Sequence, residues 1–119
     1  MNTDKRILLV DDDTDVLELT QELLGMAGYA VTSATSGQAA LALLNAGKTF
    51  DALITDHSMP GMTGEDLARN ARKLLPNLPC LLVTGFGDTV KLTMPLPVLR
   101  KPFRAAQLAA AVRNLIAEG

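Results

Sequence analysis

The chain has 119 residues, a formal net charge of −2 and one cysteine. This length suits a single domain with a real core, so we expect residues 1–119 to fold as one unit with no output domain attached. A mildly acidic chain carries no electrostatic footprint for nucleic acid or an anionic membrane, and we expect neither as a partner. Its N-terminal sequence, MNTDKRILLVDDD, is too charged for a signal peptide or membrane span, which favours a cytoplasmic location.

Apolar runs alternate with helix-like stretches along the whole chain. Five such runs occupy residues 7–10, roughly 30–34, 52–55, 80–83 and 96–99. This alternation is typical of a doubly wound α/β fold with a parallel sheet, and the unbroken apolar character of the runs indicates that both sheet faces are covered. Cys80 opens the fourth run, where we expect a buried and inert thiol.

Helical signals fill four of the stretches between and after these runs. Apolar residues recur at helical spacing in each: Val16, Leu19, Leu23 and Leu24; Leu41 and Leu44; Leu67, Ala71 and Leu74; Leu108, Ala111, Val112, Leu115 and Ile116. Gly28 and Gly47 are placed to end the first two helices. Ser36 is placed to cap the second, and Thr63 with Asp66 forms a capping-box-like start for the third.

The connection between the last two strands is unusually short. Only residues Gly85 to Pro95 lie between Thr84 and the fifth run, whereas a parallel crossover needs about a dozen residues or more. Glycine and proline inside this interval predict an irregular loop or a single turn, so the fourth helix of the sheet is expected to be shortened or missing. Pro97 cannot donate in a central ladder, which predicts an edge strand.

Polar side chains follow four of the apolar runs. They are Asp11 and Asp12, Asp56, Thr84 and Lys101. Because the carboxyl ends of parallel strands meet at one edge of a sheet, we expect these side chains to converge. Clustered carboxylates raise each other's pKa unless a cation sits among them, and such oxygen ligands suit Mg²⁺, with Mn²⁺ as a substitute. Asp13 is a second choice for the metal pair.

Asp56 is the candidate nucleophile. A strand-end carboxylate beside a metal site can attack phosphorus and form an acyl phosphate. The Thr84 hydroxyl, the Lys101 ammonium and backbone N–H groups near His57 and Ser58 are candidate donors to the phosphoryl oxygens. We expect the His57 side chain to be solvated and to play no catalytic part, because strand alternation points it away from Asp56.

Taken together, these segments resemble the receiver domain of two-component response regulators over essentially the whole chain. ILLVDDD is similar to the first strand with its acidic pair, DHSMPGMTG to the phosphoacceptor loop, LLVTG to the switch threonine and LRKPF to the family's lysine and proline. The resemblance implies a flavodoxin-like strand order 2-1-3-4-5 and a cis Lys101–Pro102 bond. It also implies a set of roles: Asp56 as phosphoacceptor; Asp11, Asp12, Asp56 and the Ser58 backbone carbonyl as Mg²⁺ ligands; Thr84 and Lys101 as phosphoryl contacts.

The function implied is that of a phosphoaccepting signalling domain. It would take a phosphoryl group from the phosphohistidine of a sensor histidine kinase or histidine phosphotransfer protein, then change conformation, pass the group on or hydrolyse it. Such a domain catalyses its own phosphorylation and dephosphorylation but is not an enzyme acting on other molecules. We expect a monomer or weak dimer, with the first helix and the loops around the site as candidate docking surfaces for a four-helix phosphodonor.

The chain departs from the family's usual pattern in two respects. Val98 stands where receivers commonly carry a tyrosine or phenylalanine that swings with the threonine, and the fourth helix is largely missing. The conventional route from the phosphoryl site to the surface is therefore not available in the same form. The segments TGFGDT and LPVLRKPF are similar to receivers at the C-terminal end of hybrid sensor kinases.

Two other functions compete with this interpretation. A Mg²⁺-dependent phosphatase of the haloacid-dehalogenase-like kind uses an aspartyl nucleophile in a DxD spacing, which Asp11 and Asp13 provide. That alternative leaves Asp56 unexplained and 119 residues give little room for substrate recognition. A degenerate receiver that binds a partner without phosphorylation is the other alternative, against which the presence of Asp56, Thr84 and Lys101 argues.

Overall fold

A computed structural model of the chain describes residues 5–85 and 91–118. The strands are β1 (Arg6–Val10), β2 (Ala30–Ala34), β3 (Ala52–Asp56), β4 (Cys80–Thr84) and β5 (Val98–Arg100); the helices are α1 (Thr14–Met26), α2 (Gly37–Asn45), α3 (Gly64–Leu74) and α4 (Ala105–Glu118). All neighbouring strands pair in parallel, in the order β2-β1-β3-β4-β5. The predicted flavodoxin-like, doubly wound α/β fold is confirmed.

The central strands are buried on both faces, as their unbroken apolar sequences predict. All residues of β3 and β4 are buried. Alternate residues of each strand enter two separate core clusters, one beneath α2 and α3 and the other beneath α1 and α4. Leu53 belongs to the first cluster and Ile54 to the second, and burial of a side chain of this size contributes about 1.5–3 kcal/mol.

The helix boundaries follow the predicted capping residues. The Ser36 hydroxyl accepts a hydrogen bond from the Ala39 N–H, and both bonds of the capping box between Thr63 and Asp66 are present. Beyond the ends of α1 and α2, Gly28 and Gly47 have positive φ angles of 97° and 91°. Glycine is favoured there because it alone enters this region without steric cost.

Two apolar residues that the helical spacing placed inward lie at the surface instead. Leu19 in α1 is 58% exposed and Leu74 in α3 is 43% exposed. In α1 the buried positions are Leu17, Thr20 and Leu24, which lie on one face at intervals of three and four residues. The prediction was wrong at Leu19 because it lies two positions from Leu17, and such residues do not share a helix face.

The connection into β5 is irregular where the structure describes it. Residues 91–97 contain no helix, in agreement with the predicted shortened fourth helix, while residues 86–90 of that interval lie outside the described residues. β5 starts at Val98, two residues later than predicted, and it is the edge strand that Pro97 indicated. Leu96 is nevertheless buried in the core cluster beneath α2 and α3. The Lys101–Pro102 bond is cis.

Cys80, at the start of β4, has the buried thiol that the sequence predicted. Its side chain is fully buried, and this burial raises the pKa of the thiol to about 11. A thiol that stays protonated at neutral pH is a poor nucleophile. Among the described residues, no helix has the length and apolar character that a membrane span requires.

Candidate functional site

Three carboxylates meet at the carboxyl edge of the sheet, as predicted. Asp11 follows β1 directly and Asp56 is the last residue of β3; both are buried, whereas Asp12 is exposed. One carboxylate oxygen from each of the three lies within 4.8 Å of the others. The strand order explains why these carboxylates meet. β1 and β3 are neighbours, and between them the order in which successive strands are added to the sheet reverses.

Lys101 lies among these carboxylates. It follows β5, and its Nζ is 3.2 Å from Asp11 Oδ2 and 3.3 Å from Asp56 Oδ1. Its backbone N–H donates to the Thr84 carbonyl oxygen at 2.7 Å, which extends the β4–β5 pairing by one residue. Burial lowers the pKa of Lys101, but the charges of Asp11 and Asp56 outweigh burial and raise it, so the ammonium remains charged at neutral pH.

The pKa of Asp56 is raised above its ordinary value. Burial is the main cause and the nearby charge of Asp11 the second; Lys101 acts in the opposite direction but does not cancel them. The site therefore holds more negative charge than one ammonium balances, and an added cation relieves the excess. A cluster of carboxylate oxygens at this spacing has the donor chemistry that Mg²⁺ prefers, so the residues fit that ion.

Thr84 ends β4 next to this cluster. Its side chain is fully buried, and its Oγ1 makes no hydrogen bond within the described part of the chain. Burying a hydroxyl without a hydrogen-bond partner costs about 1–3 kcal/mol. The Thr84 hydroxyl is therefore a donor whose acceptor is missing among the described residues. Thr84 and Lys101 also line one open cleft of about 500 Å³.

The loop after β3 departs from expectation at one donor. The backbone N–H of His57 donates to the Val83 carbonyl oxygen at 2.9 Å, so it belongs to the sheet and is not available to a phosphoryl group. The prediction failed there because the β3–β4 pairing continues one residue beyond Asp56. Ser58 lies exposed in the same loop, two residues after Asp56.

Asp13 does not join the cluster. Its Oδ1 accepts from the backbone N–H groups of Asp15 and Val16 at 3.0 Å and 3.3 Å, which makes it the N-cap of α1. Its own N–H donates to Asp11 Oδ1 at 2.9 Å. Asp13 is therefore not a member of the metal pair. In the phosphatase alternative, Asp13 is one of the two carboxylates of the DxD pattern, and here it caps a helix instead.

Gly64 is a residue of the site that sequence reasoning missed. Its N–H donates to the His57 carbonyl oxygen at 2.8 Å, and a Cβ at this position would lie 2.5 Å from the Asp56 carbonyl oxygen. Only glycine permits so close an approach of α3 to the end of β3. The sequence feature that could have indicated this role of Gly64 is the run of turn-forming residues around Gly61 and Gly64.

Comparison with known proteins gives a consistent result. A model of the response regulator receiver domain family matches residues 7–113. The C4-dicarboxylate transport transcriptional regulatory protein DctD of Rhizobium meliloti is 36% identical over 96% of this chain, although the chain spans only 26% of that protein. The response regulator receiver protein CpdR of Brucella abortus is 34% identical over 94% of this chain and 97% of its own length.

Solved structures agree with these relatives. A response regulator receiver protein from Sinorhizobium medicae superposes with a TM-score of 0.86 at 33% identity, covering 97% of this chain and 96% of its own. The receiver domain of the hybrid histidine kinase CckA gives a TM-score of 0.80 at 32% identity, covering 93% and 98% of the two chains. Since the family match spans far more than half of the sequence, the chain belongs to the response regulator receiver domain family of two-component systems.

Proposed function

We propose that this domain accepts a phosphoryl group on Asp56 from the phosphohistidine of a sensor histidine kinase or histidine phosphotransfer protein. One observation carries the proposal: the Lys101 ammonium lies 3.3 Å from Asp56 Oδ1 at the sheet edge where β4 ends in Thr84, whose buried hydroxyl makes no hydrogen bond within the described part of the chain. Both groups are donors that could bind the oxygens of a phosphoryl group on Asp56.

The transfer follows from these positions. An Asp56 carboxylate oxygen attacks phosphorus while the bond from phosphorus to the donor's imidazole nitrogen breaks, and that nitrogen keeps the electron pair and takes up a proton from solvent water. The Lys101 ammonium exchanges part of its pairing with Asp56 for the new phosphoryl oxygens. The Thr84 hydroxyl donates its hydrogen bond to another of those oxygens.

Asp11, Asp12, Asp56 and the Ser58 backbone carbonyl are the residues that would hold Mg²⁺, or Mn²⁺ in its place. The bound cation supplies neutralisation of the charge on the phosphoryl oxygens. All other catalytic groups belong to the chain itself, so we propose that the domain promotes its own phosphorylation and hydrolysis and processes no separate substrate. We also propose a cytoplasmic location for a domain that meets such kinases.

The exposed face of α1 is the proposed docking surface for the phosphodonor. This helix contains three exposed acidic residues, Asp15, Glu18 and Glu22, and neither lysine nor arginine. Leu19 and Met26 add apolar area, being 58% and 85% exposed. A four-helix donor with a basic rim and an apolar centre is complementary to this face. We propose that the domain is a monomer or weak dimer when unbound.

Two contexts suit such a domain, a separate receiver protein and a receiver within a hybrid kinase. The protein resembles CpdR and the CckA receiver to a similar degree, at 34% and 32% identity, so the comparisons favour neither context. The chemistry proposed for Asp56 is the same in both.

The proposal is tested by intact mass after incubation with Mg²⁺ and a small acyl phosphate or phosphoramidate donor. We expect one added phosphoryl group on the wild type and none on Asp56→Asn. Asp15→Asn is the matched control, since it removes an exposed carboxylate of α1 that lies outside the cluster, and it should be labelled like the wild type.

Other outcomes have distinct meanings. Absence of an adduct together with absence of phosphate release from the donor would overturn the proposal and leave a binding module that acts without phosphorylation. Turnover of generic phosphate esters that survives Asp56→Asn would instead favour the aspartyl phosphatase alternative.

A further inference from the structure

Glu65 is a buried carboxylate that the chemistry described above does not use. It is the second residue of α3 and is 7% exposed. Its Oε2 accepts from the backbone N–H groups of Thr93 and Met94 at 2.6 Å and 3.1 Å, and from the Thr93 hydroxyl at 3.1 Å. Arg69, one turn later, donates to the Thr93 hydroxyl at 2.6 Å. One carboxylate oxygen thus fastens a loop to a helix.

The bond set keeps Glu65 charged. Burial raises its pKa, but the bonds from Thr93 and Met94 outweigh burial and hold the pKa below its ordinary value. Hydrogen bonds to a charged acceptor are about twice as strong as neutral ones. Residues 91–97, here called the clasped segment, contain no helix, so this carboxylate supplies an attachment that helical packing would otherwise provide.

The first turn of α3 is closely tied to the acceptor strand. Gly64, next to Glu65, donates to the His57 carbonyl oxygen, and a Cβ on Gly64 would lie 2.5 Å from the Asp56 carbonyl oxygen. The start of α3 thus lies directly against the backbone of Asp56 and His57, and close packing of this kind transmits small displacements. A backbone shift at Asp56 therefore moves Glu65 as well.

The clasped segment also borders the cleft beside β4 and β5. Leu92 lines the cleft that Thr84, Val98 and Lys101 share. Leu96 is buried in the core, and the Pro97 carbonyl oxygen accepts from the Leu82 N–H at 3.0 Å. The segment is thus held at its end by the sheet and near its middle by Glu65.

We propose that Glu65 couples the phosphorylation state of Asp56 to the clasped segment. The inference rests on the proposed function and names the regulation of the same site. When Thr84 and Lys101 gain a phosphoryl partner, the strand ends on either side of the segment shift relative to the Glu65 attachment. The carboxylate of Glu65 transmits that shift to Thr93 and Met94, whose backbone N–H groups it accepts from.

Amide hydrogen exchange of residues 91–97 tests this coupling, with Mg²⁺ and beryllofluoride as the phosphoryl analogue. In the wild type we expect a change in exchange of at least about threefold when the analogue binds. In Glu65→Gln we expect Thr93 and Met94 to exchange about tenfold faster without the analogue, an opening equivalent to about 1.4 kcal/mol, and the response to the analogue to disappear.

Asp66→Asn is the matched control because it removes the neighbouring carboxylate, whose bonds go to Thr63 and Arg69 and not to the segment. It should retain the wild-type response. Thr93→Val removes one of the three bonds to Glu65 and keeps both backbone donors, so a partial loss is expected. If Glu65→Gln fails to fold, this variant carries the test.

The two proposals fail in different ways. A wild type that forms the phosphoryl adduct but shows no change in residues 91–97 overturns this inference alone. A normal response in both Glu65→Gln and Thr93→Val overturns it as well. Absence of the adduct in the wild type overturns the proposed function and this inference with it.

Discussion

At the scale of single residues, Thr84 has a buried hydroxyl that makes no hydrogen bond within the described part of the chain. Thr55 provides the contrast, since it is equally buried but its hydroxyl donates to the Asp56 carbonyl oxygen at 3.0 Å. A buried donor without an acceptor is destabilising, whereas a bonded one contributes about 1 kcal/mol. The two threonines therefore predict opposite responses to the same substitution.

Thr84→Val should raise the free energy of unfolding by about 1 kcal/mol, because valine has the same shape without the unpaired hydroxyl. Thr55→Val should lower it by a similar amount, since a bonded donor is lost. Chemical denaturation of both variants measures these shifts. Thr84→Val should also slow phosphorylation of Asp56 in the intact-mass assay. Destabilisation of Thr84→Val would show that its hydroxyl has a partner in the folded protein.

At the scale of secondary-structure elements, the start of α3 determines how the acceptor loop is held. Its capping box fixes where the helix begins, and Gly64 brings it against β3. Gly37 starts α2 in the same way, but a Cβ there would meet mainly the end of the Met62 side chain, with Sδ at 2.6 Å. A flexible thioether can move aside, whereas a backbone carbonyl cannot.

Gly64→Ala should therefore lower the free energy of unfolding by roughly 1–3 kcal/mol, because the new methyl group overlaps the Asp56 carbonyl oxygen and Leu82. Gly37→Ala is the matched control and should cost clearly less, since alanine's better helix propensity of about 1 kcal/mol offsets the shift of Met62. Urea unfolding curves compare the two. Equal losses would mean that α3 can retreat from β3.

Much of this fold and site was readable from sequence, for physical reasons. Asp11, Asp56 and Lys101 follow apolar strands, and parallel strands must bring their carboxyl ends together. Glu65 was not readable, because its role depends on bonds to Thr93, 28 residues away, in a segment without periodic structure. Leu19 was misplaced because apolar spacing fixes a helix face only approximately when other apolar residues compete for it.

At the scale of the whole molecule, the ionised carboxylate of Asp56 lowers the stability of the folded state. The pKa of Asp56 is raised, so its ionised form is less favourable in the folded than in the unfolded chain. That cost is fully present above the folded-state pKa and disappears as pH falls below the unfolded value of about 3.8. Folding and ion binding are therefore linked at this edge of the sheet.

Asp56→Asn should stabilise the metal-free protein at pH 7 by on the order of 1 kcal/mol, since Lys101 keeps its pairing with Asp11 while the repulsion is relieved. The gain should vanish as pH falls below the unfolded value of about 3.8, because the carboxyl is then protonated in both the folded and the unfolded wild type. Thermal unfolding with and without Mg²⁺ measures both effects. At ten times its dissociation constant, Mg²⁺ should stabilise the wild type by about 1.4 kcal/mol and the variant less. Equal shifts in both would place the ion elsewhere.

The buried thiol of Cys80 has a practical consequence. It is the protein's one cysteine, it lies in a central strand, and it donates a hydrogen bond to the Leu78 carbonyl oxygen. A thiol reagent can reach it only when the core beneath α2 and α3 opens, so the alkylation rate of the native protein measures how often that core opens. Since β4 ends at Thr84, the alkylation rates of Cys80 with and without a phosphoryl group on Asp56 would show how firmly phosphorylation holds this core closed.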